Sequence, residues 1–349
     1  MAKIGFLLGA GFSVPSGYPT AYEIRDSLFS MVYRNTRLMR FTDQRIYHIT
    51  PTYPYNPFTN CWNDYHRDVF NQIWAEFDIS GYEQMYQLFC TLEDDRCSVN
   101  YKKYAGIVSN LLINYMDKVS PIQNADDLVF IIQSFIIEIV FFCLGGHPIR
   151  SNPYHQVMRL LSTNDHTLHI ATLNHDTSIE WVLQANHIPY SDGFNNACEF
   201  MNFWPTYPIC VYKLHGSVDW FYRDYRLFKT GNLLRVSIDK SHGANDSVIA
   251  IGIKNKFNFY RMPFFKDIYS RFIDHASDLD LLVVIGYSEG DQYINQLVQK
   301  VSQKPTKQIL YITADENISN THDESLLITK IPKEDQADAV YKKIIDLLP

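Results

Sequence analysis

Several absences narrow the class of this 349-residue chain before any motif is read. It has no surplus of positive charge: 31 Lys and Arg stand against 38 Asp and Glu, for a formal net charge of −7. Such a balance provides no basic footprint for a phosphate backbone, so nucleic acid is not the expected direct ligand. The six cysteines, Cys61, Cys90, Cys97, Cys143, Cys198 and Cys210, include no C-x-x-C pair. That spacing argues against a zinc ribbon or a disulfide framework; reduced thiols in a cytoplasmic protein, and no metal, are expected. No apolar run is both long and uninterrupted. Leu128 to Leu144 comes nearest to a membrane span, but Gln133 and Glu138 break it and a buried helix is expected. The apolar start, Ile4 to Phe12, is punctuated by Gly9 and Gly11 and lacks a small-residue cleavage site, so no secretory signal is expected. Internal repeats and low-complexity tracts are missing too. What remains is ample core material, 46% hydrophobic and 15% aromatic, which excludes disorder over most of the length.

The apolar runs that are present have strand length. Ile4 to Leu8 ends in glycine, as a buried parallel strand feeding a tight turn does. Further runs recur at His169 to Leu173, Val211 to Leu214, Val248 to Ile253, Leu281 to Ile285 and Ile309 to Thr313. Helical stretches at Ile179 to Asn186, Phe264 to Ser277 and Tyr293 to Val301 separate several of them, and another helix is expected from about Thr20. This alternation predicts an α/β fold: a Rossmann-like, mostly parallel sheet with helices on both faces. About 140 residues lie between the first strand and the second, far more than one crossover needs. A large, mainly helical insertion is therefore expected, with helix-length patterns at Tyr82 to Leu92 and Asp126 to Leu144 and an irregular loop at Thr50 to Asn60. The expected organisation is a discontinuous domain (residues 1–28 and 161–331), an insertion (29–160) and a C-terminal helix (332–349). Ala339, Ile344, Ile345 and Leu348 are the apolar candidates on that last helix. It and the aromatic residues of the insertion are candidate assembly surfaces, and each equally suits a place in the core.

The turn after the first strand reads G-A-G. Gly9 and Gly11 permit close backbone approach to a pyrophosphate, whose charge the amides and the following helix dipole would compensate. The dinucleotide fingerprint of dehydrogenases is incomplete, because Val14 replaces its third glycine and no strand with an acidic end follows about twenty residues on. A hydride-transferring enzyme is thereby disfavoured. Asn174 and Asp176 directly follow His169 to Leu173, and His215 directly follows Val211 to Leu214. All three would project from carboxyl ends of strands, where open parallel sheets bind ligands. Ser288, Asp291 and Asn295, after Leu281 to Ile285, suit ribose hydroxyls and an adenine edge, while Asp291 equally suits capping a helix.

Taken together, GAGFSVPSGYPT (Gly9 to Thr20), LNHD (Leu173 to Asp176), KLHGSVDW (Lys213 to Trp220) and GYSEGDQYIN (Gly286 to Asn295) resemble the sirtuin superfamily. The resemblance covers roughly residues 2–28 and 161–313. It implies that Gly9, Ala10, Gly11, Ser13 and Pro19 hold the phosphates of NAD+, and that Thr172, Asn174 and Asp176 hold the nicotinamide ribose and orient a water. His215 would accept a proton, and Gly286, Ser288, Asp291 and Asn295 would meet the adenosine half. Asn174, Asp176 and His215 are thus the candidate catalytic residues.

Protein deacylases of the superfamily follow the proline of the first motif with an acidic residue and Phe-Arg, where this chain has Thr20, Ala21 and Tyr22. They also carry four zinc-binding cysteines beyond the catalytic histidine, whereas none follows Cys210 here. The variant motifs look instead like the bacterial sirtuin-like NAD hydrolases of antiphage defence. That likeness implies NAD+ as substrate, homo-oligomerisation, and gating by a HerA-type ATPase or another defence partner. Two other readings stand beside it: a non-catalytic module sensing NAD or ADP-ribose, and an NAD-dependent protein deacylase.

Overall fold

The computed structural model describes residues 2–19, 23–24, 38–41, 45–48, 64–79, 82–113, 136, 140, 144, 152–164, 166–201, 204, 207–223, 226–229, 246–249, 262–302, 308–322, 324–328 and 335–349. In chain order the strands are β1 (Lys3–Leu8), β2 (Leu38–Phe41), β3 (Arg45–His48), β4 (Thr167–Thr172), β5 (Ile209–Lys213) and β6 (Gly216–Arg223). They continue with β7 (Arg226–Lys229), β8 (Asp246–Ile249), β9 (Leu281–Ile285), β10 (Gln308–Thr313) and β11 (Ser325–Leu327). The chain forms two compact units, one of residues 1–18, 144–250 and 256–349, the other of 19–143 with 251–255.

Six described strands of the first unit make one sheet in the order β11-β10-β9-β1-β4-β5. Every neighbouring pair in it is parallel. From β1 the chain steps outward through β4 to β5, then returns to the other side of β1 for β9, β10 and β11. The strand order thus reverses between β1 and β9, the kind of switch point at which open α/β sheets form a ligand crevice beyond the carboxyl ends.

Alternation along the strands divides the core into two layers. Ile4, Phe6 and Leu8 of β1 pack with Tyr154, Val157 and Leu161 of the Pro153–Ser162 helix, Ile179 and Leu183 of the Ser178–Ala185 helix, and Val340 and Ile344 of the Gln336–Asp346 helix. Leu7 belongs to the opposite layer, with Phe265 and Phe272 of the Pro263–Ala276 helix and Leu297 of the Gln292–Ser302 helix. Helices on both faces explain why β5 and β9 are buried along their whole length and carry no polar alternation.

Two expectations change. The run Val248 to Ile253 was expected to continue the α/β alternation; its described part, in β8, instead pairs antiparallel with β6, which also pairs with β7. An apolar run of that length carries no signal for the sheet it joins. The C-terminal helix turns Ala337, Val340 and Ile344 inward and leaves Ile345 exposed. The 3.6-residue period selects 337, 340 and 344 as one stripe and rotates Ile345 off it, and burial within its own unit removes that stripe as an assembly surface. β6, β7 and β11 had no counterpart in the sequence reading.

Among described residues, the second unit has helices at Asp64–Glu76, Tyr82–Asp94 and Val99–Ile113 and an antiparallel β2–β3 hairpin. Phe89 meets the edge of Tyr104 at 5.8 Å between centroids in its core. The loop expected at Thr50 to Asn60 and the helix start expected at Thr20 lie outside the described residues. So does the helix expected at Asp126 to Leu144, except that Ile136, Val140 and Leu144 are helical and buried. No helix among the described residues is long and apolar enough to cross a membrane.

Candidate functional site

The turns after β1 and β9 meet at the switch point through main-chain atoms packed around Gly9, Gly11 and Gly286. The Gly9 amide donates to the Ile285 carbonyl at 2.9 Å and the Gly11 amide to the Gly286 carbonyl at 3.1 Å. A Cβ on Gly11 would stand 2.7 Å from Gly286 Cα, and one on Gly286 would stand 2.4 Å from Gly11 Cα. Gly286 also sits at φ +60°, in the left-handed region where a side chain is strained. The glycines read as a phosphate cradle therefore mesh two backbones, and these two amides are engaged by carbonyls. Ala10 is exposed at the start of the short Ala10–Ser13 helix, while Pro19, half-buried, falls in the other compact unit.

Asn174 ties this turn to the end of β4. Its Nδ2 donates to the Gly9 carbonyl and to Ser13 Oγ, both at 2.9 Å. A carbonyl only accepts, so the amide orientation is determined and Oδ1 is the group left to face a ligand. Ser13 is buried and its hydroxyl also bonds the Asp176 carboxyl, so one relay runs from Asn174 through Ser13 to Asp176. Asp176 further accepts from the Ser178 amide at 2.9 Å, at the start of the Ser178–Ala185 helix. Burial pushes the Asp176 carboxyl above the usual range, against the Lys213 charge and the Ser13 and Ser178 bonds, which lower it. Thr172 acts on the backbone: its Oγ1 accepts from the Asn174 amide at 3.1 Å and its carbonyl from Leu214 at 3.0 Å. Ser13 and Thr172 thus brace the turn that presents Asn174.

His215 stands two residues beyond β5 and is buried. The Val218 amide donates to the His175 carbonyl at 2.9 Å, lacing its loop to the loop that carries Asn174. His215 Nε2 contacts Asp291 Oδ2 at 3.1 Å. Asp291, expected at a ribose, thus pairs with the candidate base. Its Oδ1 accepts from the Tyr293 and Ile294 amides at 2.9 and 3.3 Å, an N-cap for the Gln292–Ser302 helix. Asn295 is spent on the same loop, donating to the Glu289 carbonyl at 2.7 Å and accepting from the Tyr287 hydroxyl at 2.7 Å. Ser288 is exposed.

Four side chains near these residues, Lys213, Asp219, Asn152 and His155, were given no role in the sequence reading. Lys213, 1% exposed, pairs with Glu180 at 3.0 Å and donates to the Asp176 carbonyl. Asp219 adds a further carboxyl beside Lys213 and Glu180, pushed up to about 6 mainly by burial. Asn152, 2% exposed, donates to the Phe12 carbonyl at 2.7 Å and to Ser16 Oγ at 2.8 Å, and caps the Pro153–Ser162 helix. His155 bonds Ser178 Oγ at 2.8 Å, and burial lowers its pKa to about 4. An asparagine directly before a proline at a helix start was the available signal for Asn152. For Lys213 it was a cation inside an otherwise apolar strand. Among the described residues no three His, Cys, Asp or Glu side chains gather as a metal site, and Cys97, Cys198 and Cys210 are free thiols.

With this geometry in hand, residues 168–331 match the family described as SIR2-like domain. No curated protein matches the chain. Similar solved structures include a Sir2 homologue in complex with NAD, at 15% identity and a TM-score of 0.47, covering 99% of this chain and 89% of that one. A mutant Sir2 homologue with 2′-O-acetyl ADP ribose is 16% identical, with a TM-score of 0.44 and coverage of 99% and 91%.

Proposed function

We propose that the chain is an NAD+ glycohydrolase that cleaves NAD+ to nicotinamide and ADP-ribose without a metal. The reading rests on one observation: Asn174, oriented through Gly9 and Ser13, and His215, held against Asp291, follow the adjacent parallel strands β4 and β5. The SIR2-like match over residues 168–331 supports the same chemistry.

Nicotinamide in NAD+ is a cationic leaving group, so its departure from the ribose needs little acid and leaves an oxocarbenium-like centre. The bond from C1′ to the ring nitrogen breaks and its electron pair neutralises the pyridinium. A water oxygen then forms the new bond to C1′ and releases its proton to a base. Asn174 Oδ1 can accept from that water or a ribose hydroxyl without adding charge, and His215 takes the proton. Asp176 favours the developing positive charge when ionised.

In the cell we propose a cytoplasmic antiphage effector, homo-oligomeric and held inactive until assembly or a partner such as a HerA-type ATPase engages it. Unchecked, loss of NAD+ would kill the host. The test is incubation of the purified chain with NAD+, with and without acetylated peptide, and chromatography of the products. Peptide-independent ADP-ribose from the wild type, lowered about 10²- to 10⁴-fold in His215→Ala, supports the hydrolase. Turnover only with peptide makes it a deacylase; ligand-dependent thermal stabilisation without turnover makes it a sensing module.

A further inference from the structure

We propose that Asp291 is the positioning residue of His215, fixing which ring nitrogen carries the proton, and that it acts on the histidine instead of on a ribose. This assignment rests on the hydrolase reading of the site and deepens it.

Both oxygens of the carboxylate are spoken for. Oδ1 accepts from the Tyr293 and Ile294 amides at 2.9 and 3.3 Å, so the first turn of the Gln292–Ser302 helix holds it. Oδ2 faces His215 Nε2 at 3.1 Å. An ionised carboxylate only accepts, so the neutral ring keeps its hydrogen on Nε2 and its lone pair on Nδ1. The backbone on the other side of Asp291 is pinned as well: its amide donates to the Tyr287 hydroxyl at 3.1 Å, and that hydroxyl donates to Asn295 Oδ1 at 2.7 Å. Asn295 in turn holds the Glu289 carbonyl at 2.7 Å. The loop thus delivers a carboxylate from a rigid helix end onto an imidazole, and the pair is buried, with side chains 7% and 5% exposed. A carboxylate in that place is held by two backbone amides through one oxygen and faces the imidazole through the other, and orienting a base is what such an arrangement does.

Two variants keep the helix cap and change only the grip on the ring, since Asn and Ser are both good N-caps. Asp291→Asn turns an acceptor into an amide that can donate to Nε2, which stabilises the opposite tautomer. Asp291→Ser is too short to reach the ring. In the full chain labelled with ¹⁵N-histidine, the His215 resonance, identified by its loss in His215→Gln, should report Nε2–H in the wild type and Nδ1–H in Asp291→Asn. NAD+ turnover should fall on the order of 10²-fold or more in kcat for Asp291→Asn, less for Asp291→Ser, with KM nearly unchanged. An unchanged tautomer in Asp291→Asn overturns the proposal, whatever the activity. A raised KM at wild-type kcat also overturns it and returns Asp291 to the ribose. If the tautomer switches while the wild type never consumes NAD+, the pairing stands and the hydrolase reading fails. Turnover in the wild type with a resonance and kcat indifferent to the substitution fails the positioning proposal alone.

Discussion

The carboxyl ends of β1 and β9 meet through close-packed backbone, whereas the carboxyl ends of β4 and β5, also joined by backbone bonds, gather polar side chains. At the first pair, Gly9, Gly11 and Gly286 approach so closely that any Cβ would collide with main-chain atoms. At the second, Asp176, Lys213, Glu180 and Asp219 form a largely buried charged cluster, with Asn174 and His215 on the neighbouring loops. One side of the crevice is built for fit and the other for charge. They should therefore fail differently: substitutions at the glycines should cost stability through sterics, and those at the polar end through uncompensated charge.

The strongest break in this comparison is Lys213→Met, which removes the buried cation paired with Glu180 at 3.0 Å and leaves Lys229 as the remaining positive charge acting on Glu180 and Asp219. It should destabilise by about 3–5 kcal/mol, the cost of breaking a buried pair from one side. Denaturant unfolding checks it, and a loss below about 1 kcal/mol would mean that the cluster is not held together by Lys213. Gly286→Ala should come next, at roughly 2–4 kcal/mol, from a left-handed backbone combined with a steric clash. The matching control on the same loop, Gly290→Ala, meets nothing closer than 3.8 Å and should be nearly silent.

His155 sharpens the contrast by pH. Its folded pKa lies near 4 against 6.5 for the free side chain, because burial disfavours the cation. Between those values the unfolded chain binds the proton that the folded chain refuses, so stability is lost as pH falls from 6.5 to 4. Asp219, raised from 3.8 to about 6, has the opposite slope, with stability lost as pH rises through that window. The clean readout is therefore a difference: in His155→Gln the slope of stability against pH across this range should fall by about one proton, or ~1.4 kcal/mol per pH unit at most. Parallel curves for the two proteins would show that His155 titrates alike in both states. The smallest loss expected apart from the silent control belongs to Asn152→Ala, which removes an N-cap and two buried bonds and should cost about 1–2 kcal/mol in thermal unfolding.

The same division explains what could be read in the sequence. The parallel sheet was legible because fully buried strands are nearly continuous apolar runs, as β9 is throughout and β5 is up to Lys213. Asn174 and His215 were legible because a polar residue directly after such a run must lie at the carboxyl edge. Their partners were not. Asp291 is 76 residues from His215, and nothing in GYSEGDQYIN distinguishes a carboxylate that faces a ribose from one that faces an imidazole. The Ser13 hydroxyl and the Thr172 side chain carry the right chemistry for a ligand, and the sequence does not reveal that Ser13 also bonds Asn174 and Asp176 and that Thr172 also holds the Asn174 amide. Nor could the β6–β8 pairing be seen, since register and sheet membership arise between segments rather than within them.

The most direct test of the account is the product balance from NAD+ alone, comparing wild type, Asn174→Ala and His215→Ala, with thermal unfolding run alongside. Equimolar nicotinamide and ADP-ribose from the wild type, reduced at least about 10²-fold in both variants while each still unfolds as a folded protein on heating, is the predicted result. Full turnover in either stably folded variant would contradict it, because the chemistry would then lie elsewhere than the ends of β4 and β5.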